Sequence, residues 1–301
     1  MSSDSNLENI FAVSEVLRIL VRRKFLIIFT TIIGLFLSSV YALSIDNKYE
    51  SKAVLAPVEA QNNINRSIST YSGIASIAGI NLGSPISGRS NESIEVLQSF
   101  KFFKEHILLN INIFDLMAVE SWEPVTQKLI YDPKVYILDK NFWVQPKPTN
   151  QETYLEFKKH FSIYVNKENG FITLSIAHRS PFIAQEWLNK IIFEIDNLYR
   201  VSDKESSLRT IDYINIEIQK TSYKEIQEAL SRIIEQEVKK LALIESSQDY
   251  IFKVIEPGFV PEKKISPNRL LLVSIGVIFG MLGGVLVALS SAFLQNNSNK
   301  E

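Results

Sequence analysis

The chain has no cysteine in its 301 residues, which excludes disulfides, thiol nucleophiles and thiolate metal sites at once. That absence suits an oxidising compartment without requiring one. Histidine is nearly as scarce: the three are His106, His160 and His178, and none has a second histidine at the helical spacing of an H-E-x-x-H zinc site. No G-x-S-x-G elbow occurs, and no H-x-E with paired cysteines. Carboxylate pairs such as Glu235 and Glu237 lie in a charged helical stretch that reads as a solvated face. The chain is therefore expected not to be an enzyme and to need no cofactor and no metal. A net charge of −1, with no basic face away from the apolar segments, argues against a nucleic-acid partner.

Long apolar runs are what the chain does have, at 25–45 and 270–294. Each is long enough, at about 1.5 Å per helical residue, to cross a hydrocarbon layer of roughly 30 Å. Arg18, Arg22, Arg23 and Lys24 precede the first run, whereas Asp46, Lys48 and Glu50 follow it, which places residues 1–24 in the cytoplasm and 46–269 outside it. The second run read alone points the other way, because Lys263, Lys264 and Arg269 precede it and Lys300 follows. The first run decides, since the charge rule weakens across a long translocated domain. It is too long, and lacks a small-residue cleavage site before the strand-like 49–55, for a removable signal peptide. The tails, 1–24 and 295–301, are expected to house no kinase, cyclase or other signalling output. An amphipathic stripe of Leu7, Ile10, Phe11, Ser14, Leu17 and Val21 in the first tail suits a helix lying on the inner leaflet or meeting a partner.

Between the runs, 48–57 reads as a strand stopped by Pro57, and 92–109 has helical spacing through Ile94, Leu97, Phe100, Phe103 and Ile107. Residues 113–148 look irregular, broken by Pro124, Pro133, Pro146 and Pro148. A hairpin is predicted from the alternation in 161–166 and 171–177 around Gly170. Ser180-Pro181 opens a helix running toward Tyr199. The stretch 206–245 has neither proline nor glycine, and its apolar spacing predicts one long helix of roughly 60 Å, with a weak point between Thr221 and Lys224. A strand is expected at 250–255, and Pro257, Pro261 and Pro267 lead stiffly back to the membrane. The element order is that of a split βαβ, so the expected fold is α+β: a ferredoxin-like α/β base between two transmembrane helices, carrying a long protruding helix. That sheet would sit on the membrane with the helix standing up from it.

Two further patterns bear on function. The segment 83–90 nearly matches a phosphate loop, but Arg89 stands where lysine should be and Pro85 removes an N–H from the cradle, so it reads as a Gly/Ser loop. Small residues recur every fourth position on both runs: Thr30, Gly34, Ser38 and Ala42 on the first, Gly276, Gly280, Gly284 and Ala288 on the second. Such rows let helix backbones approach closely, either within one chain or between neighbouring chains.

Tyr49-Glu50-Ser51, the apolar loop 73–79, Ser180-Pro181 with Ala184 and Asn189, and above all 250–257 with Val260-Pro261-Glu262-Lys263 and Pro267 resemble the Wzz polysaccharide co-polymerases. The resemblance runs over essentially the whole chain, with little contribution from 110–150. Gly258 departs from it, since the resemblance leads to an expectation of alanine there. It implies a non-catalytic protein of the bacterial inner membrane with a periplasmic α/β domain. Such a protein assembles with itself into a ring-like, octamer-like homo-oligomer and sets the length to which a Wzy-type polymerase extends lipid-linked O-antigen polysaccharide of lipopolysaccharide. A co-polymerase of enterobacterial common antigen or capsule is the nearest alternative; a periplasmic ligand sensor is one of another class.

Overall fold

The computed structural model describes residue 18 and residues 20–58 and 88–298, with backbone alone at 88 and 292–298. The stripe from Leu7 to Leu17, the apolar loop 73–79 and residues 83–87 of the glycine/serine segment lie outside these. The chain divides into two units, one of residues up to 47 with those from 264 onward, the other of 48–263.

The first unit holds α1 (Lys24–Ser44), a short strand at Lys264–Ser266 and a second long helix, Arg269–Ser298. Both long helices are long and apolar enough to cross a membrane, the second over 269–291. Most of their large side chains are exposed, Phe25, Leu37, Phe279 and Leu286 among them, as expected of surfaces that face lipid.

The second unit is built on one antiparallel sheet. Strand β1 (Lys48–Pro57) is followed by α2 (Gly88–Leu97), α3 (Ile113–Met117) and two small hairpins, β2 (Val119–Glu123) with β3 (Lys128–Tyr131) and β4 (Tyr136–Ile137) with β5 (Phe142–Trp143). Then come α4 (Asn150–His160), β6 (Phe161–Val165), β7 (Ile172–His178), α5 (Pro181–Lys220), α6 (Lys224–Ser246) and β8 (Phe252–Glu256). The strands pair in the order β6-β7-β1-β8, each pair antiparallel, which is the ferredoxin-like arrangement. Tyr49 faces His178 and Leu55 faces Ile172. The register points Ala53 and Leu55 of β1 and Ile172, Leu174 and Ile176 of β7 into one core. Ala184, Trp187, Leu188, Ile191 and Ile195 of α5 cover it at helical spacing.

Local chemistry explains most boundaries. Gly170 takes a φ of 71° in the β6–β7 turn. Ser180 accepts from the Ile183 N–H with Pro181 in the first turn of α5, and Thr149 with Glu152 forms a capping box on α4. The helix expected over 92–109 is interrupted at Gln98 and Ser99; Ser99 caps a new start by accepting from Phe102, and the chain continues as a π-helical turn, Phe103–Ile107. Residues 113–143, which read as irregular, hold α3 and both small hairpins.

The long helix is the main correction. It is not 206–245 but α5, which runs unbroken from Pro181 for 40 residues, and the chain then reverses at residues 221–223 into α6. Thr221 and Tyr223 are extended, and Gln227 donates back to the Thr221 carbonyl (2.9 Å). Reversal is favoured because it buries Ile214 and Ile244, which a single straight rod would leave in water. Arg200 clasps the returning end: its guanidinium donates to the carbonyls of Ile244, Ser247 (2.8 Å) and Gln248 (3.1 Å), where the C-terminus of α6 favours a cation. Asp196 holds that guanidinium at 2.8 Å and accepts from the backbone N–H groups of Tyr250 and Ile251, which sets the start of β8.

Ile244→Ala should therefore lower the unfolding free energy by about 2–4 kcal/mol and loosen α6 selectively. Denaturation of the full chain, with amide exchange across 224–246, checks both; unchanged exchange there would contradict the clasped hairpin.

Candidate functional site

The small-residue rows meet within one chain. The spans run antiparallel, and a Cβ built on Gly34 would lie 2.6 Å from the Gly276 carbonyl oxygen and 2.9 Å from Gly280 Cα. One on Gly280 would stand 2.8 Å from the Thr30 carbonyl oxygen; one on Gly276 would overlap Ser38, and one on Gly284 would overlap Thr30 and approach Ile27. The obstructing atoms at Gly34 and Gly280 are backbone, so no side-chain rotation relieves them. Ala42 and Ala288 are buried towards opposite ends of the seam. Arg23 bonds Ser291 at one end, while Arg269 reaches the Ala42 carbonyl and Asn47 (both 3.3 Å) at the other, with Lys264 on Asn47 at 3.0 Å. In lipid, where apolar burial does not drive helices together, this close backbone approach is the attraction itself.

Of the three prolines, Pro261 and Pro267 are buried and Pro257 is exposed. The segment between Pro257 and Pro261 is strapped to the rest of the base by side chains that the motifs include or adjoin. Buried Ser51 donates to the Phe259 carbonyl at 2.7 Å, and Gln185 of α5 donates to the Gly258 carbonyl at 3.0 Å. A Cβ at Gly258 would lie 2.9 Å from Asn189 Oδ1 and 3.0 Å from Leu188 Cδ2. These are side-chain ends that can shift, so an alanine at this position would be accommodated by a small movement. Ser51, Asn189 and residues 258–259, far apart in sequence, thus meet in the base.

Arg89, the residue out of place for a phosphate loop, pairs with Asp203 of α5, which also accepts from the Tyr250 hydroxyl. Burial, with Asp203 next to it, pushes the Tyr250 hydroxyl up to about 12. Arg89 is thereby occupied in joining α2 to α5 beside Tyr250, which precedes β8.

The histidines are internal. His178 donates from Nε2 to the Asp115 carbonyl at 2.8 Å and accepts at Nδ1 from the Ser180 N–H at 3.0 Å. Protonation would aim a second N–H at that backbone N–H. Burial pushes His178 down to about 4, helped by His160 and Arg179 nearby. His160, itself lowered chiefly by burial, bonds the Ala177 carbonyl. Asp115 is raised by burial, against the hydrogen bonds it accepts from Tyr131 (2.6 Å) and Asn112 (3.0 Å). Among the described residues no group of three or more His, Cys, Asp or Glu could hold a metal ion.

Residues 10–107 match the family model of Wzz, the chain length determinant protein. A search of curated proteins found no match. Among solved structures, a full-length bacterial polysaccharide co-polymerase is 15% identical with a TM-score of 0.41, over 93% of this chain and 97% of that one. A fragment of WzzB, a polysaccharide co-polymerase from Salmonella Typhimurium, is 13% identical with a TM-score of 0.31, over 73% of this chain and 100% of that one.

The buried neutral His178 makes stability depend on pH. Its folded value lies below the ordinary 6.5, so its contribution is complete above that pH and is lost as pH falls towards about 4. The loss amounts to about 3 kcal/mol, with His160 acting in the same direction and the raised Asp115 opposing both. Thermal unfolding of the full chain in detergent should show Tm falling over that window, and His178→Gln should flatten the slope; a Tm flat between pH 7 and 4.5 would contradict the neutral tautomer.

Proposed function

We propose that this chain, whose residues 10–107 match the family model of Wzz, belongs to that family and is a non-enzymatic regulator of the length of lipopolysaccharide O-antigen or a related surface polysaccharide. It works by assembly in the bacterial inner membrane, with both termini cytoplasmic and the ferredoxin-like base periplasmic. Copies form a ring-like homo-oligomer that acts on a Wzy-type polymerase extending a lipid-linked glycan. The family match carries this reading. Two spans held together by backbone contact support it, because they make a rigid element that neighbouring copies or the polymerase can pack against. The α5–α6 hairpin supports it too. Leu208, Tyr213 and Ile216 on α5, with Ile226, Ile233 and Val238 on α6, remain exposed, more apolar side chain than an isolated hairpin needs in water.

Deletion of the gene tests the function: the ladder of surface polysaccharide should lose its modal length and recover it with the wild-type gene. Complementation with Gly280→Leu or Gly284→Leu should leave the ladder shifted or without a mode at equal protein level, since either side chain forces the spans apart. A deletion strain with an unaltered ladder would overturn the reading.

A further inference from the structure

The base carries an open cleft of about 340 Å³ between the β2–β3 hairpin and the first turn of α5, floored by α3. Its walls are aromatic. Trp122 of β2 and Phe182 of α5 stand with ring centroids 5.9 Å apart and planes at 53°, and Phe114 and Tyr131 meet edge to face at 5.6 Å. Phe182 is 42% exposed although it sits on a helix whose opposite face makes the core.

The polar groups in the cleft are not used up by the fold. Asp115, 7% exposed, accepts one hydrogen bond at each carboxylate oxygen, from Tyr131 and from Asn112, and each oxygen keeps a further acceptor site. Ser180, 1% exposed, accepts from the Ile183 N–H but donates its hydroxyl proton to no group among the described residues. Gln127, at the end of the hairpin with a φ of 52°, makes no side-chain hydrogen bond among the described residues. Aromatic faces with a few unspent donors and acceptors are the composition of a small-molecule site, and the volume lies at the small end of the range of about 300–1,000 Å³ for such sites. The buried carboxylate disfavours an anionic ligand. Flat C–H faces to lie on Trp122 and Phe182, and hydroxyls that both donate to Asp115 and accept from Ser180, are the complement of one chemical class.

We propose that this cleft binds a neutral hexose-type unit of the polysaccharide, Trp122 and Phe182 packing against the ring and Asp115, Ser180 and Gln127 bonding its hydroxyls. The inference rests on the length-control reading and adds that the base touches the glycan directly, one sugar at a time, while the flanking units of the polymer remain outside.

The test is titration of the full chain in nanodiscs with oligosaccharide released from the producing strain's own surface polysaccharide, read by saturation-transfer NMR and tryptophan fluorescence. Saturable binding in the micromolar to millimolar range is expected, weakened at least about tenfold by Trp122→Ala or Phe182→Ala. Gln127→Gly, which suits the positive φ and removes the amide, should weaken it several-fold with helix content unchanged by circular dichroism. No saturable binding by the wild type, or equal binding by well-folded Gln127→Gly and Trp122→Ala, would overturn the site. The two readings fail separately: a deletion that alters the ladder while the wild type binds no glycan removes only the cleft, whereas an unaltered ladder removes the function.

Discussion

Strand β1 is the constraint from which the rest of the base follows. It is bonded along both edges, to β7 and to β8, and Ser51, Ala53 and Leu55 are fully buried along it. A slip of one residue would turn Ala53 and Leu55 away from the core. Its pairing gathers segments around residues 50, 170 and 254 into one sheet, and it also sets where the chain leaves. The departing segment runs back past the incoming strand, fixed where Ser51 holds the Phe259 carbonyl. In the other unit, the two long helices are themselves a close pair.

That pair is made by subtraction. Where lipid is the solvent, adding apolar side chains between two helices gains little, and removing them lets backbones touch. Gly34, Gly276, Gly280 and Gly284 remove them at the places where a Cβ would meet the opposite helix. The base has the opposite economy, burying Trp187, Ile191 and Ile195 under α5 in the usual way. Beyond the sheet α5 has no core to lie on, and α6 returns to cover its inner face. Among the described residues, the outer surface of the hairpin and the aromatic cleft stay uncovered.

Much of this was legible where one local rule acts alone. Alternation around Gly170 located the β6–β7 hairpin, Ser180-Pro181 the start of α5, and the fourfold spacing of small residues the seam between the spans. What spacing could not decide was the partner of each row; that it is the other span of the same chain depends on three-dimensional register. The extent of α5 was missed because Tyr199 to Ser206 continues a helix across an apolar gap, and Arg200 and Asp203 there are turned to polar work on α6, β8 and Arg89. The reversal at 221–223 has neither glycine nor proline to mark it, only a lapse in the apolar stripe. Hairpins β2–β3 and β4–β5 are too short for alternation to register between prolines. The cleft was invisible for a related reason: Trp122 and Phe182 come from separate segments, and neither belongs to a periodic pattern.

An account in which the chain works by assembly and not by chemistry is tested most directly by the mass of the full chain in nanodiscs, without ligand or polymerase. A closed oligomer is predicted, its mass a multiple of the 34.3 kDa protomer, stable on dilution and broken down by Gly280→Leu. A protein that remains a single 34.3 kDa protomer at every concentration and lipid composition would contradict it.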